Sequence, residues 1–349
     1  MRATSVVLLG ILSTSFASAP AWWQFGEFLK KQERNGTLRS ELGPIPCESF
    51  DLSRLQLEEC ADGVDSFPNR SLAISLGLSV NLAAKACRKA FAKRRWNCAY
   101  SGGRNVFGSI VHKQTKESAV VYAMISAMAM YTVIRDCARG RLPGLSDKCG
   151  PGDSKNVEFA YNITKKFIDD PLYLSLLQNK DGQSNKATLI HLHNYEVGRL
   201  LVVKFSTISR CCCIGRNGTC SDPKRMKGWE KIAATLKETY DSAVKIKALS
   251  ANKSRSLHKE SLVYVKPSPD FCRRSSRLGI RGTKGRRCYL SAKGRIGSCS
   301  VLCCDRGYAS VTRTSTIKCN PRLIRYPAPM RVVYDQCKRT VPTGKYVCN

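Results

Sequence analysis

The sequence predicts an α+β, disulfide-rich protein in two parts: a helical N-terminal domain and a small cystine-rich β C-terminal domain. Three observations predict it. Apolar stretches of helical character run from about Ser71 to Ile246, the texture changes near Ser250 to short β-type runs, and 18 cysteines are spread over the 349 residues.

The N-terminus indicates the compartment. Arg2, the apolar run Val6 to Leu12 and Ala17-Ser18-Ala19 are the charged, apolar and small-residue zones of a secretory signal over residues 1–19, cleaved near Ala19. The run is too short to span a membrane. Cysteines in an exported chain read as disulfides, since an oxidising compartment stabilises the cross-link, and no CxxC pair has a zinc-site spacing. Sequons at Asn35, Asn69, Asn162, Asn217 and Asn252 agree with export.

Removal of the signal leaves about 330 residues, enough for a helical domain over 20–249 and a second domain over 262–349. Ser118 to Ile134, SAVVYAMISAMAMYTVI, carries no charge over 17 residues. Ser, Tyr and Thr punctuate it and Ala and Met dominate, so it reads as a helix buried in a bundle and not as a membrane span. Farther on, Trp229, Ile232, Ala233, Leu236, Tyr240, Ala243 and Val244 make one apolar stripe, with Lys231, Lys237, Glu238 and Asp241 outside it. Ser250 to Ser261 is polar, basic and without period, which marks a linker. Beyond it lie the β-type runs Leu262 to Val265 and Arg331 to Tyr334, eight cysteines and repeated Gly and Pro. So short a segment with so few large apolar side chains needs disulfides in place of a core.

Formal charge is +32. From Lys266 onward there are 19 Lys and Arg against three acidic residues, Asp270, Asp305 and Asp335, so half of the excess sits in the last quarter. Such a field holds a protein on polyanions. For an exported chain these are sulfated glycosaminoglycans and not nucleic acid, with Arg281, Lys284, Arg286 and Arg287 as the candidate docking cluster; a merely solvated basic face is the plain alternative.

Catalytic chemistry finds little support. His112, His191, His193 and His258 are the only histidines, and His191-Leu192-His193 has no recognised ligand spacing, so both read as exposed or capping. No GxSxG elbow, phosphate loop or HExxH helix appears, and carboxylates are scattered. The expectation is no enzyme, no metal and no cofactor.

Several motifs are more specific. Lys93-Arg94-Arg95-Trp96-Asn97-Cys98, with Cys87 eleven residues before Cys98, strongly resembles the RRWNC signature of the Wnt family of secreted signalling proteins. Trp22-Trp23 looks like the paired tryptophans near mature Wnt N-termini, and Glu117-Ser118-Ala119 resembles the start of the family's long buried helix. His193-Asn194-Tyr195-Glu196-Val197-Gly198-Arg199 is similar to the family's HNNEAGR. Asp270-Phe271-Cys272, Gly282-Thr283, Arg287-Cys288, Leu302-Cys303-Cys304 and Arg306-Gly307-Tyr308 follow its C-terminal pattern.

The resemblance implies a cystine-tied hairpin, the thumb, projecting from the helical domain at 205–226, and a second projection, the finger, at 319–337. In the family these two grip the cysteine-rich domain of a frizzled receptor. The receptor-binding residues it implies are Gly215, Arg216, Asn217, Gly218 and Thr219 on the thumb and Tyr326, Pro327, Ala328, Pro329 and Met330 on the finger. It also implies the pairs Cys47 with Cys60, Cys87 with Cys98, Cys137 with Cys149, Cys213 with Cys220, Cys272 with Cys304, Cys288 with Cys299, Cys303 with Cys348 and Cys319 with Cys337.

The chain also departs from the pattern. Cys211 to Cys220 reads CCCIGRNGTC where the family has CKCHGxSGSC, so Asn217 occupies the position of the serine that carries an unsaturated acyl chain. An amide cannot form that oxygen ester, and the expectation is a thumb without lipid, either glycosylated at Asn217 or bare. Arg225 and Met226 replace a family cysteine and tryptophan. Cys211 and Cys212 are then left with three open fates: a vicinal bridge, re-pairing with Cys220, or an intermolecular bond. Two family cysteines between Cys137 and Cys149, and four within the finger, are missing. The function implied is a secreted or matrix-held developmental ligand for a frizzled-type receptor, with a co-receptor as a second candidate partner. The alternative is a non-signalling binding protein or antagonist on the same scaffold.

Overall fold

The structure, a computed structural model, describes residues 22–26, 29, 67–99, 107–143, 145–151, 155–178, 182–208, 228–246, 259–290, 294–324 and 331–349. The chain divides into two compact units, Met1–Ala84 with Arg104–Pro267, and Lys85–Gly103 with Ser268–Asn349. The division falls after Pro267, not across 250–261, and the RRWNC segment belongs with the C-terminal unit.

Helix α1, Phe67–Phe91, enters the first unit as far as Ala84; α2 (Lys116–Ala138), α3 (Asn156–Gln178), α4 (Gly182–Ile208) and α5 (Trp229–Asp241) are its other long helices, with a short helical turn at residues 22–26 and a 3-10 turn at Ser109–Lys113. The uncharged stretch is the middle of α2. It is long and apolar enough to cross a membrane, yet 94% of its most apolar window is buried, with α3, α4 and α5 packed around it. A helix apolar on all sides is one surrounded on all sides, here by protein. Thr115 caps its N-terminus, with Ser118 Oγ donating back to the Thr115 carbonyl at 2.8 Å, and Glu117 sits in the first turn where the helix dipole favours an anion.

The paired tryptophans are core residues of this unit. Trp22 packs on Phe167 at 5.2 Å, and Trp23 on Phe107 and Tyr122 at 6.0 and 5.6 Å. Phe25 reaches α1 at Gly77, where a Cβ would lie 2.5 Å from the Phe25 ring.

Helix α5 buries Ile232, Ala233 and Leu236, and the Tyr240 hydroxyl donates to Glu117 at 2.8 Å. The helix stops at Asp241, so Ala243 and Val244 do not prolong its stripe. Val244 instead opens strand β1, Val244–Lys245, which pairs in parallel with β2, Val263–Tyr264, through Val244 N–H to the Leu262 carbonyl at 2.8 Å. The run Leu262 to Val265, expected to open the C-terminal domain, therefore closes the helical one, as its β-branched valines match across the pair.

The second unit holds β3 (Arg287–Cys288), β4 (Tyr308–Ile324) and β5 (Arg331–Cys348) as an antiparallel sheet of order β3-β5-β4, with a one-turn helix α6, Cys299–Leu302. Six disulfides join described residues: Cys87–Cys98, Cys137–Cys149, Cys272–Cys304, Cys288–Cys299, Cys303–Cys348 and Cys319–Cys337. All six are pairs that the family likeness implies. Cys47, Cys60, Cys211, Cys212, Cys213 and Cys220 lie outside the described residues. The core of the sheet is Cys288, Cys299, Leu302, Cys303 and Cys348 with Tyr346 against it. Sulfur from two stacked cystines stands there where a larger domain would bury leucine.

Beyond that core β4 and β5 run on as a two-stranded ribbon, mostly exposed, paired as far as Ile324 opposite Arg331. A bulge between Cys319 and Arg322, with Asn320 at φ 48°, interrupts its register beside the Cys319–Cys337 bridge.

Candidate functional site

In the first unit, HNYEVGR makes nearly two turns of α4, and most of its residues have a fixed partner. His193 Nε2 meets the Ser261 carbonyl at 2.8 Å. Asn194, fully buried, uses its side-chain amide as a strand would use its backbone: it accepts from Val263 N–H and donates to the Val263 carbonyl, both at 3.0 Å. The motif thereby holds β2 in place. The Tyr195 carbonyl accepts from Ser126 Oγ of α2 at 2.6 Å. Gly198 lets α4 approach α2, since a Cβ there would stand 2.1 Å from the Ala123 carbonyl oxygen.

Arg199 is completely buried. Its guanidinium donates to both Asp169 oxygens of α3 at 3.0 and 2.5 Å and to Glu196 at 2.9 Å. Burial opposes its charge, but Asp169 and Glu196 outweigh that and raise its pKa. Tyr161 donates to Glu196, and burial, then that hydrogen bond, push its hydroxyl up to about 12. The cluster is a paired structural network.

His191 is not exposed as the sequence suggested. Its ring stacks on Tyr122 at 4.0 Å with Nε2 out of solvent, and burial, followed by the nearby His112, lowers its pKa to about 3. A ring held neutral in a tyrosine stack is packing, and it faces away from the role that His193 plays. Cys288, Cys303 and Cys348 bring their sulfurs within 4.8 Å of one another, but each is already in a disulfide, leaving no thiolate for a metal.

In the second unit the RRWNC segment forms the exit of α1. Trp96 packs between Phe91 and Phe271, at 5.0 and 6.3 Å, and the Cys87–Cys98 bridge closes the turn with Cys98 at φ 56°. Arg95 Nε donates to the Val301 carbonyl at 2.9 Å. Arg286 then donates to the carbonyls of Ala92, Arg94 and Arg95 at 2.9, 2.8 and 2.7 Å, satisfying backbone acceptors of the turn that follows α1. Half-buried and fully engaged, Arg286 is no docking cation.

The thumb residues Gly215 to Thr219 and the finger residues Tyr326 to Met330 lie outside the described residues, as do Asn35, Asn217 and Asn252. Of the other sequons, Asn69 falls in the first turns of α1 and Asn162 is exposed on α3. What the structure adds is the last stretch of ribbon before residue 325. Leu323 stands opposite Val332, and Tyr334, two residues along β5, shares their face; these are 53%, 48% and 48% exposed. Strand alternation could have picked out this apolar face, but only with the register known.

A helical unit and a small β unit, each cross-linked within itself by cystine, with an apolar-faced ribbon on the second, define a disulfide-rich α+β protein. The wnt family profile matches residues 56–349. Protein Wnt-1 of Caenorhabditis elegans is 31% identical and aligns over 100% of both chains; Protein Wnt-11 of Gallus gallus is 33% identical over 76% of this chain and 78% of its own. Among solved structures, a chain of human WLS in complex with WNT8A matches with a TM-score of 0.53 and 29% identity, over 82% of this chain and 96% of that one. This chain belongs to the Wnt family.

Proposed function

We propose that the protein is a secreted Wnt-type signalling ligand that binds the cysteine-rich domain of a frizzled-type receptor in developmental cell–cell signalling, with no lipid on its thumb. Membership over residues 56–349 supports the ligand reading, and Asn217 at the acylated position supports the lipid-free one. A single acyl chain gives only marginal membrane binding, so its loss alters retention less than receptor contact. That contact then falls more heavily on the finger, where Leu323, Val332 and Tyr334 expose an apolar face on the paired strands that flank Tyr326 to Met330 in the sequence. A co-receptor and sulfated glycosaminoglycans are the further partners, the latter through the charge of +32. It acts by binding and not by catalysis.

The missing ester also favours a second reading, in which the scaffold occupies the receptor without signalling. A receptor-reporter assay on conditioned medium separates an agonist from an antagonist. The lipid-free claim is tested by mass spectrometry of the secreted thumb peptide. The expected masses are those of a bare or glycosylated Asn217; an acyl mass on Thr219 or Ser221 would refute it.

A further inference from the structure

The loop Arg281 to Arg286 builds a cleft that the charge count alone does not reveal. Gly282 and Gly285 both have positive φ, 75° and 74°, and a Cβ on Gly282 would lie 3.0 Å from Arg274 N and 3.1 Å from the Cys272 carbonyl. Those close approaches turn the chain sharply and project Arg281 and Lys284 outward. The loop is pinned from behind: buried Thr283 donates its N–H to the Cys272 carbonyl at 3.2 Å, Gly285 N–H bonds the Cys348 carbonyl at 2.8 Å, and Arg306 grips both Thr283 Oγ1 and the Cys272 carbonyl. Cys272 and Cys348 are themselves half-cystines. This loop is held in place before any ligand arrives.

Between it and the residues after α1 lies an open cleft of about 420 Å³, lined by Arg274, Arg281, Lys284 and Arg286, by Asn97 and Ala99, and by no acidic side chain. Arg286 faces away into its carbonyls. Arg274, Arg281 and Lys284 are exposed, and among the described residues their side chains have no hydrogen bond or ion pair. Three unneutralised cations around a concave surface focus a positive field there, and two of them are forks suited to bidentate oxyanions. The volume is that of a small-ligand site, more than one oxyanion needs.

We infer that this cleft is a discrete binding site for a sulfated sugar unit, with Arg274, Arg281 and Lys284 as its ligating cations. The inference rests on the proposed extracellular role for the choice of sulfate over phosphate, and it narrows a diffuse basic field to one place. Arg274 replaces Arg286 in the docking set, and Arg287, on β3, lies outside the cleft lining.

The test titrates a fully sulfated heparin-derived pentasaccharide into the intact secreted protein. Replacing Arg274, Arg281 and Lys284 with alanine should weaken binding about tenfold, while removing the same charge from the ribbon, at Lys318, Lys338 and Lys345, should change it less than about twofold. Equal losses from the two sets would leave only the diffuse field and overturn the site. A measurement on the unaltered protein guards against misfolding of the triple variant: the pentasaccharide should protect Lys284 from amine acetylation and leave Lys318 reactive. Equal protection of the two, or protection of Lys284 by an equally charged oligonucleotide as effectively as by the sugar, contradicts the assignment. Protection of Lys284 in a protein that fails to bind a frizzled domain would uphold the cleft and sink the ligand reading.

Discussion

Replacing Arg199 with alanine should cost about 3–5 kcal/mol of stability, enough to abolish secretion of a marginally stable chain. The guanidinium is fully buried and its partner Asp169 is 3% exposed, so truncation leaves a carboxylate in the core with no counter-charge, and Glu196 loses a donor as well. Lysine should recover only part of the loss, because one ammonium cannot span both Asp169 oxygens as the fork does. Pairing Arg199→Met with Asp169→Asn should be milder than Arg199→Ala alone, since the second change removes the orphan charge. Denaturant midpoints of the secreted variants decide it. A loss below about 1 kcal/mol for Arg199→Ala would mean that the cluster is hydrated and that its carboxylates do not depend on the guanidinium.

Serine at both Cys303 and Cys348 should be comparably severe. Their bridge closes a loop with a sequence separation of 45, worth about 4 kcal/mol in the chain-entropy account, and it also forms half of the sulfur core beneath Tyr346. The Cys319–Cys337 bridge offers the contrast. With a separation of 18 it lies on the exposed ribbon, where no core collapses when it is lost. Serine at Cys319 and Cys337 should therefore lower the thermal midpoint less and leave secretion measurable. Equal midpoints for the two double variants would contradict a cystine core.

The sequence exposed those parts of the fold whose cause is local. The uncharged run of α2 announced a buried helix, the stripe from Trp229 placed α5, and the change of texture after Ser250 announced a cystine-rich part whose unit resumes only at Ser268. What it hid depends on distant partners. Two-residue strands β1 and β2 have no periodicity to read, and β2 is held by the Asn194 amide 69 residues earlier. Arg286 looked like one more surface cation, because only the fold brings it to the carbonyls after α1, some 190 residues away. The same folding brings Arg274 to Arg281 and Lys284. At the candidate receptor surface, motif likeness points to Gly215 to Thr219 and Tyr326 to Met330, which lie outside the described residues, whereas Leu323, Val332 and Tyr334 required the register of β4 on β5.

We propose that this Wnt scaffold binds a frizzled-type receptor without an acyl chain at residue 217. Its most direct test is the affinity of the purified protein, produced with the acyltransferase inhibited, for an isolated frizzled cysteine-rich domain. Normal secretion is expected, with saturable binding equal to that of protein made without the inhibitor and weakened by serine at Leu323, Val332 and Tyr334. Secretion or binding that disappears with the acyltransferase would contradict it.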